Sequence, residues 1–138
     1  MIEHLSGHAV SSLLTHVALL KLAVANHLSL NLREVLIIGV LLVQSELSFA
    51  DLARRLSIPK SSLTGLVDNL FRKGLVERRQ DQTNRRRWFV FLTRSGQQLA
   101  QDLHLRESEA LETAFGGLTS HAREELRLAL HALEQQLR

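Results

Sequence analysis

Five arginines fall within ten residues: Arg78, Arg79, Arg85, Arg86 and Arg87. A guanidinium is planar, permanently charged and able to donate paired hydrogen bonds, so such a cluster suits phosphate oxygens and narrow minor grooves. Upstream lies a second polar group, Lys60, Ser61, Ser62, Thr64 and Gly65, with Arg72 further along. Hydroxyls and a lysine at the start of a helix meet bases or phosphates readily, the helix dipole favours an anion there, and a glycine permits close approach. Taken alone, these are ordinary solvent-facing residues, and an isolated basic loop is usually just solvated. The two groups sit on neighbouring elements, and together they point to duplex DNA.

Other chemistry finds less material. Seven histidines are present: His4, His8, His16, His27, His104, His121 and His131. His4 and His8 have the i, i+4 spacing that can grip a metal, but there is no H-E-x-x-H pattern, and the pair reads as surface decoration. No metal site is expected. With no cysteine, disulfides, zinc–thiolate sites and thiol redox switches are excluded. The chain has no G-x-S-x-G, P-loop or dinucleotide fingerprint, and no histidine–carboxylate arrangement tied to a nucleophile. No catalytic residues, no cofactor and no enzyme activity are expected. Aromatic residues, at 4%, offer little for stacking single-stranded bases.

Charge is unevenly spread. Between Arg54 and Arg94 eleven basic residues face three acidic ones, a net +8, although the chain as a whole carries only +3. The remainder holds six basic and eleven acidic residues, a net −5. A cationic middle with acidic flanks implies an anionic polymer for the middle and another role for the ends.

The elements that must position these residues follow from hydrophobic period and punctuation. At 138 residues, 45% apolar and 22% charged, the chain fits one folded domain spanning 1–138. The longest apolar run, Val35 to Val43, is about half the length of a bilayer-spanning helix and reads as a core helix. The N-terminus has no basic segment leading into an apolar one, so a cytoplasmic protein without membrane attachment is expected. Helical spacing predicts a first helix over about 6–27. Asn31 and Glu34 form a capping box for a second helix, Leu32 to about Gln44, expected to be buried on most sides. Ser48 and Asp51 repeat that pattern ahead of Phe49, Leu52, Ala53 and Leu56, a short third helix. Ser57-Ile58-Pro59 makes a turn, with Pro59 suited to the first turn of a fourth helix. That helix places Leu63, Leu66, Val67, Leu70 and Phe71 on one apolar face and stops at Gly74. Two short amphipathic helices joined by a tight turn are a helix-turn-helix. The period then changes: Leu75 to Arg79 and Trp88 to Leu92 read as strands of a hairpin, or wing, around the polar loop 80–87. Alternation along a strand implies that its arginines do not all face DNA. Thr93 caps a long helix to about Phe115, Gly116-Gly117 interrupts it, and Thr119 caps a last helix bearing Leu126, Ala129, Leu130, Leu133 and Leu137 on one face.

The segment Leu47 to Gly96 resembles the MarR family of winged helix-turn-helix transcription regulators. SSLTGLVDNL, KGLVERR, the wing and LTRSG leading into a long helix carry the likeness, and the order of flanking helices matches across essentially the whole chain. The resemblance implies a mostly α fold with a small β-hairpin wing, a DNA-binding core at about 47–93, and dimerisation helices at about 6–27 and 94–138. It implies a homodimer on a pseudo-palindromic operator, recognition helices in adjacent major grooves and wing tips in the minor groove. Base and phosphate contacts then fall to Lys60, Ser61, Ser62, Thr64, Gly65 and Arg72, and wing contacts to Arg78, Arg85, Arg86 and Arg87. One departure stands out. Relatives often carry Asp-x-Arg-Asp at the wing tip, where this chain has Asp81-Gln82-Thr83-Asn84, so Arg85 or Arg86 must replace the missing arginine or the wing contacts are weaker. Many relatives release DNA when a small molecule lodges between the dimerisation helices and the winged domain. A small organic effector is therefore one expectation and no effector another; its residues are not assigned. Two other readings stay open from the residues: a winged-helix protein-interaction module, and a metal-responsive DNA-binding sensor using the histidines.

Overall fold

The computed structural model describes residues 7–137, with side chains from 11 to 136. Two compact units emerge, one reaching Leu105 and the other beginning at Arg106. The first is a mostly helical winged helix-turn-helix; its elements are α1 (Gly7–His27), α2 (Leu32–Gln44), β1 (Glu46–Ser48), α3 (Phe49–Leu56), α4 (Lys60–Arg72), β2 (Val76–Gln80), β3 (Trp88–Leu92) and the first part of α5 (Arg94–Phe115).

Local chemistry sets most of the boundaries. Ser29 takes a left-handed conformation after α1, and the Leu30 amide turns back to the Ala25 carbonyl at 2.9 Å. Asn31 then starts α2: its side chain accepts from the Glu34 amide while the Glu34 carboxylate accepts from the Asn31 amide, each at 2.9 Å. α2 buries Glu34, Val35, Ile37, Ile38 and Leu41, but Val43 is 71% exposed. Burial on most sides therefore does not hold for its last turn, which runs past the core. Ser48 caps α3 by accepting from the Asp51 amide at 3.1 Å, and Ser57 ends the helix in the left-handed region. Pro59 is the residue before α4 rather than a member of its first turn. Its ring still supplies a fixed φ and needs no amide partner there.

The apolar stripe of α4 sinks Leu63, Val67 and Leu70 against α2, the sheet and each other. Phe71 does not join them; it is 45% exposed and lies beneath the Arg78 guanidinium, 4.8 Å from ring centroid to carbon. One residue off the stripe, it points toward the wing instead of the core. Gly74, at φ +70°, turns the chain into β2. The wing strands pair antiparallel from Val76–Leu92 to Gln80–Trp88. β1, unexpected from sequence, adds on the other side of β3 through Leu47–Val90, giving the order β1-β3-β2. β3 is thus central, and its Val90 and Leu92 close the core.

Thr93 anchors the start of α5. Its hydroxyl accepts from the Gly96 amide at 3.0 Å and donates to the Gly74 carbonyl at 2.6 Å, while its own amide reaches the Leu75 carbonyl at 3.1 Å. The second unit comprises the rest of α5 and α6 (Ser120–Leu137), joined by a short connection. Thr119 caps α6 by accepting from the Ala122 amide at 3.2 Å, and Arg123 reaches Glu112 at 3.5 Å. Leu118, Leu128, Leu130 and Leu133 are exposed in this unit, as are Leu13, Leu14, Leu19, Leu20 and Leu22 on α1. Among the described residues, no single helix is long and apolar enough to cross a membrane.

Candidate DNA interface

Lys60, Ser61, Ser62, Thr64 and Gly65 are all exposed on the first turns of α4, and Arg72 is exposed at its end. The Thr64 hydroxyl donates to the Lys60 carbonyl at 3.0 Å, leaving its oxygen free to accept. An added Cβ at Gly65 would meet nothing within 4 Å, so this face of the helix is open. A concave groove of about 930 Å³ separates α4 from the wing and the start of α3. Lys60, Thr64, Arg78, Arg86 and Arg87 line it. Ser61, Ser62, Gly65, Arg72 and Arg85 are not among its lining residues and occupy neighbouring exposed surface. Trp88, 42% exposed, and Asn84 also line the groove. By sequence, Trp88 reads only as a strand residue and Asn84 only as part of the wing loop; their place beside the arginines is the signal that marks both.

The arginines divide into two classes. Arg78 donates to Asp68 at 2.7 Å across the gap between β2 and α4 while covering Phe71. On the other side of β2, Arg79 forms a two-pronged contact with Glu46 at 2.9 and 3.1 Å and stacks over Phe89. Arg87 lies 4.0 Å from Asp51 and also covers Phe89. All three guanidiniums are paired with an acid within the fold, and Arg78 and Arg79 also commit hydrogen-bond donors. Among the described residues, Lys60, Arg72, Arg85 and Arg86 have no acidic partner within 4.0 Å. Their charge is available to an external anion.

The wing tip is organised by short polar side chains. Asp81 accepts from both the Thr83 amide, at 2.9 Å, and the Thr83 hydroxyl, at 2.8 Å. Those two bonds, the hydroxyl first, hold the Asp81 carboxyl below its ordinary range. Asn84 accepts from the Arg86 amide at 3.1 Å, and the Arg87 amide reaches the Asn84 carbonyl at 2.8 Å. Thr83, standing where relatives often carry arginine, is thus part of the turn, and the exposed Arg85 and Arg86 follow directly. At the groove's other rim the Ser48 hydroxyl donates to Asp51 at 2.7 Å. That bond, reinforced by Arg54, Arg87 and Arg55, holds the Asp51 carboxyl below the usual carboxylate range.

The described histidines lie elsewhere. His4 and the side chain of His8 are outside the described residues. His16 donates to the Ser12 carbonyl at 2.7 Å, and His121 and His131 lie beside Glu125 and Glu134 at 3.4 and 4.0 Å. Among the described residues no three His, Asp or Glu side chains gather as a metal-binding group.

Comparison with known proteins connects this geometry to a family. The MarR family model matches residues 28–87. The homoprotocatechuate degradative operon repressor of Escherichia coli is 30% identical over 99 residues, covering 72% of this chain and 65% of the relative. The match therefore spans just under two thirds of that relative's length. The structure of NadR in complex with 4-hydroxyphenylacetate superimposes with a TM-score of 0.73 at 25% identity, covering 95% of this chain and 94% of that one. Wild-type MarR from E. coli, in its apo form, gives a TM-score of 0.77 at 20% identity over 93% and 95% of the two chains.

Proposed function

Since the chain belongs to the MarR family, we propose that it is a dimeric, sequence-specific DNA-binding repressor. The observation that carries this reading is the groove between α4 and the wing, whose lining includes Lys60 and Arg86, cations with no acidic partner among the described residues. The N-terminal half of α4 enters a major groove, where Lys60, Ser61, Ser62 and Thr64 meet base edges and phosphates and Gly65 lets the backbone approach closely. Arg85 and Arg86 take the minor-groove role at the wing tip, because Thr83 is committed to the turn. Arg72 adds a phosphate contact. Arg78 and Arg87 touch DNA with reduced charge and mainly hold wing and helix together.

A second copy of the chain covers the exposed leucines of α1 and α6, giving a two-fold protein on a pseudo-palindrome with half-sites about one helical turn apart. The DNA is cytoplasmic, and no reaction is assigned to the chain. A small aromatic acid relieves repression. Two relatives support that class of effector, one named for homoprotocatechuate degradation and one solved with 4-hydroxyphenylacetate.

Charge reversal tests the site. Arg85→Glu with Arg86→Glu is expected to lower duplex DNA affinity by about a hundredfold or more at moderate salt, since two attractive phosphate contacts become repulsive. Unaltered affinity with the fold intact overturns the wing assignment. Adding 4-hydroxyphenylacetate to a preformed complex is expected to release DNA, and no effect from it or homoprotocatechuate would remove the effector part of the reading.

A further inference from the structure

Glu34 is 1% exposed, the most deeply buried acid in the described structure. A carboxylate so far from water requires hydrogen-bond donors around it. One oxygen accepts from the Asn31 amide at 2.9 Å, at the start of α2 where the helix dipole favours an anion. The other accepts from the side-chain amide of Asn69, 35 residues away on α4. The capping box explains why a glutamate stands at this position. It does not explain the bond across to α4.

We propose that Glu34 and Asn69 are a positioning pair that sets the rotation of α4 about its axis, and with it the face that α4 presents to DNA; this rests on the DNA-binding reading above. The apolar residues that seat α4 (Leu63, Val67 and Leu70) are held by contact area, which tolerates small rotations and slides. A hydrogen bond to a buried charge is directional and costly to leave unmade, so it selects one rotation. Asn69 lies in the C-terminal half of α4, on the same face as Lys73 one turn later. Lys73 donates to the Ser29 carbonyl at 2.6 Å, in the turn between α1 and α2. Just beyond the helix, the Gly74 carbonyl accepts from the Thr93 hydroxyl at 2.6 Å. The far end of α4 is thereby gripped from α2, from the α1–α2 turn and from the start of α5. Its near end, Lys60 to Gly65, is exposed. Small rotations at the gripped end turn those residues away from the base edges they would read, while phosphate attraction, which needs only nearby charge, persists.

The separation of selectivity from attraction gives the test. Affinity for an enriched operator and for random duplex is measured in the same buffer for the parent, Asn69→Ala, Asn69→Asp and the double variant Glu34→Gln with Asn69→Asp. The ratio of the two affinities is independent of the fraction of molecules that fold, and a thermal melt is recorded alongside. Asn69→Ala is expected to lower the ratio by about tenfold or more, the loss of one hydrogen bond to a buried charge, with random-DNA affinity and its salt slope unchanged. Asn69→Asp, which sets two carboxylates against each other, is expected to lower it further. The double variant exchanges donor and acceptor across the same gap and is expected to restore the ratio to near the parent value. Parental ratios in both Asn69 variants, or a double variant no better than Asn69→Asp alone, overturn the positioning role and leave DNA binding standing. A parent protein that binds both duplexes equally overturns the sequence-specific reading, and the positioning pair falls with it.

Discussion

Replacing Gly96 by alanine sets two effects of opposite sign against each other. Gly96 lies in the first turn of α5, where alanine is worth up to about 1 kcal/mol over glycine by helix propensity. Propensity alone predicts a stabler protein. The surroundings predict the reverse: an alanine Cβ would sit 1.9 Å from the Leu75 carbonyl oxygen, 3.0 Å from its carbon and 3.3 Å from a Leu92 methyl. The nearest atom is backbone, and reaching ordinary contact requires α5 and the Leu75 turn to part by about 1.5 Å. That movement strains the Thr93 amide bond to Leu75 and the Thr93 hydroxyl bond to Gly74, at 3.1 and 2.6 Å. Each such bond contributes about 1 kcal/mol, and overpacking itself costs about 1–3 kcal/mol. Packing wins, for a net loss of about 2–4 kcal/mol after the propensity gain. Denaturant unfolding followed by circular dichroism measures it directly. Gly65→Ala serves as the contrast, because nothing lies within 4 Å of its added Cβ. It should gain up to about 1 kcal/mol of stability while weakening DNA binding at the helix face. A Gly96→Ala protein as stable as the parent would refute the packing argument.

Three further outcomes follow from the same contacts. Arg79, bound to Glu46 on an exposed flank, is expected to matter little to DNA. Arg79→Ala should change duplex affinity by less than about threefold and stability by less than about 1 kcal/mol, whereas a large affinity loss in a binding titration would contradict the division of the arginines. Asp51, whose carboxyl is depressed first by the Ser48 hydroxyl and then by Arg54, Arg87 and Arg55, contributes to stability fully above the unfolded carboxyl value of about 4. That contribution fades as pH falls through its lower folded value. Asp51→Asn should therefore narrow the difference in denaturant midpoint between pH 6 and pH 3, and an unchanged difference would count against it. Leu133→Glu, placing a charge among the exposed α6 leucines, is expected to convert dimer to monomer in sedimentation and to weaken operator binding; a variant that stays dimeric refutes that interface.

What the sequence made legible was mostly what neighbouring residues decide among themselves. The Asn31–Glu34 box, the Gly74 turn and the Thr93 and Thr119 caps depend on residues a few positions apart, and each formed where expected; at Ser48 only the cap formed and not the full box, because Asp51 takes the Ser48 hydroxyl. β3 matched because a run of aromatic and β-branched residues has little choice of state. β1 was not legible: three residues show no period, and its partner β3 lies over forty residues away. The commitments of the arginines were equally hidden, since Glu46 is 33 residues from Arg79 and Asp51 sits on α3, far along the chain from Arg87 in the wing loop. Phe71 misled because helical spacing cannot tell the edge of an apolar stripe from its centre. The grouping of Lys60, Thr64, Arg78, Arg86 and Arg87 around one groove rests on the wing folding back beside α4, which the hairpin pattern implied in outline.

Selection from a genomic duplex pool at two salt concentrations, with sequencing of the retained DNA, decides whether this protein reads a specific operator. The expected result is an enriched pseudo-palindrome with half-sites about one helical turn apart, and affinity falling steeply as salt rises through loss of phosphate contacts at Lys60, Arg72, Arg85 and Arg86. Retention without any enriched site, or no retention at either salt, would contradict it.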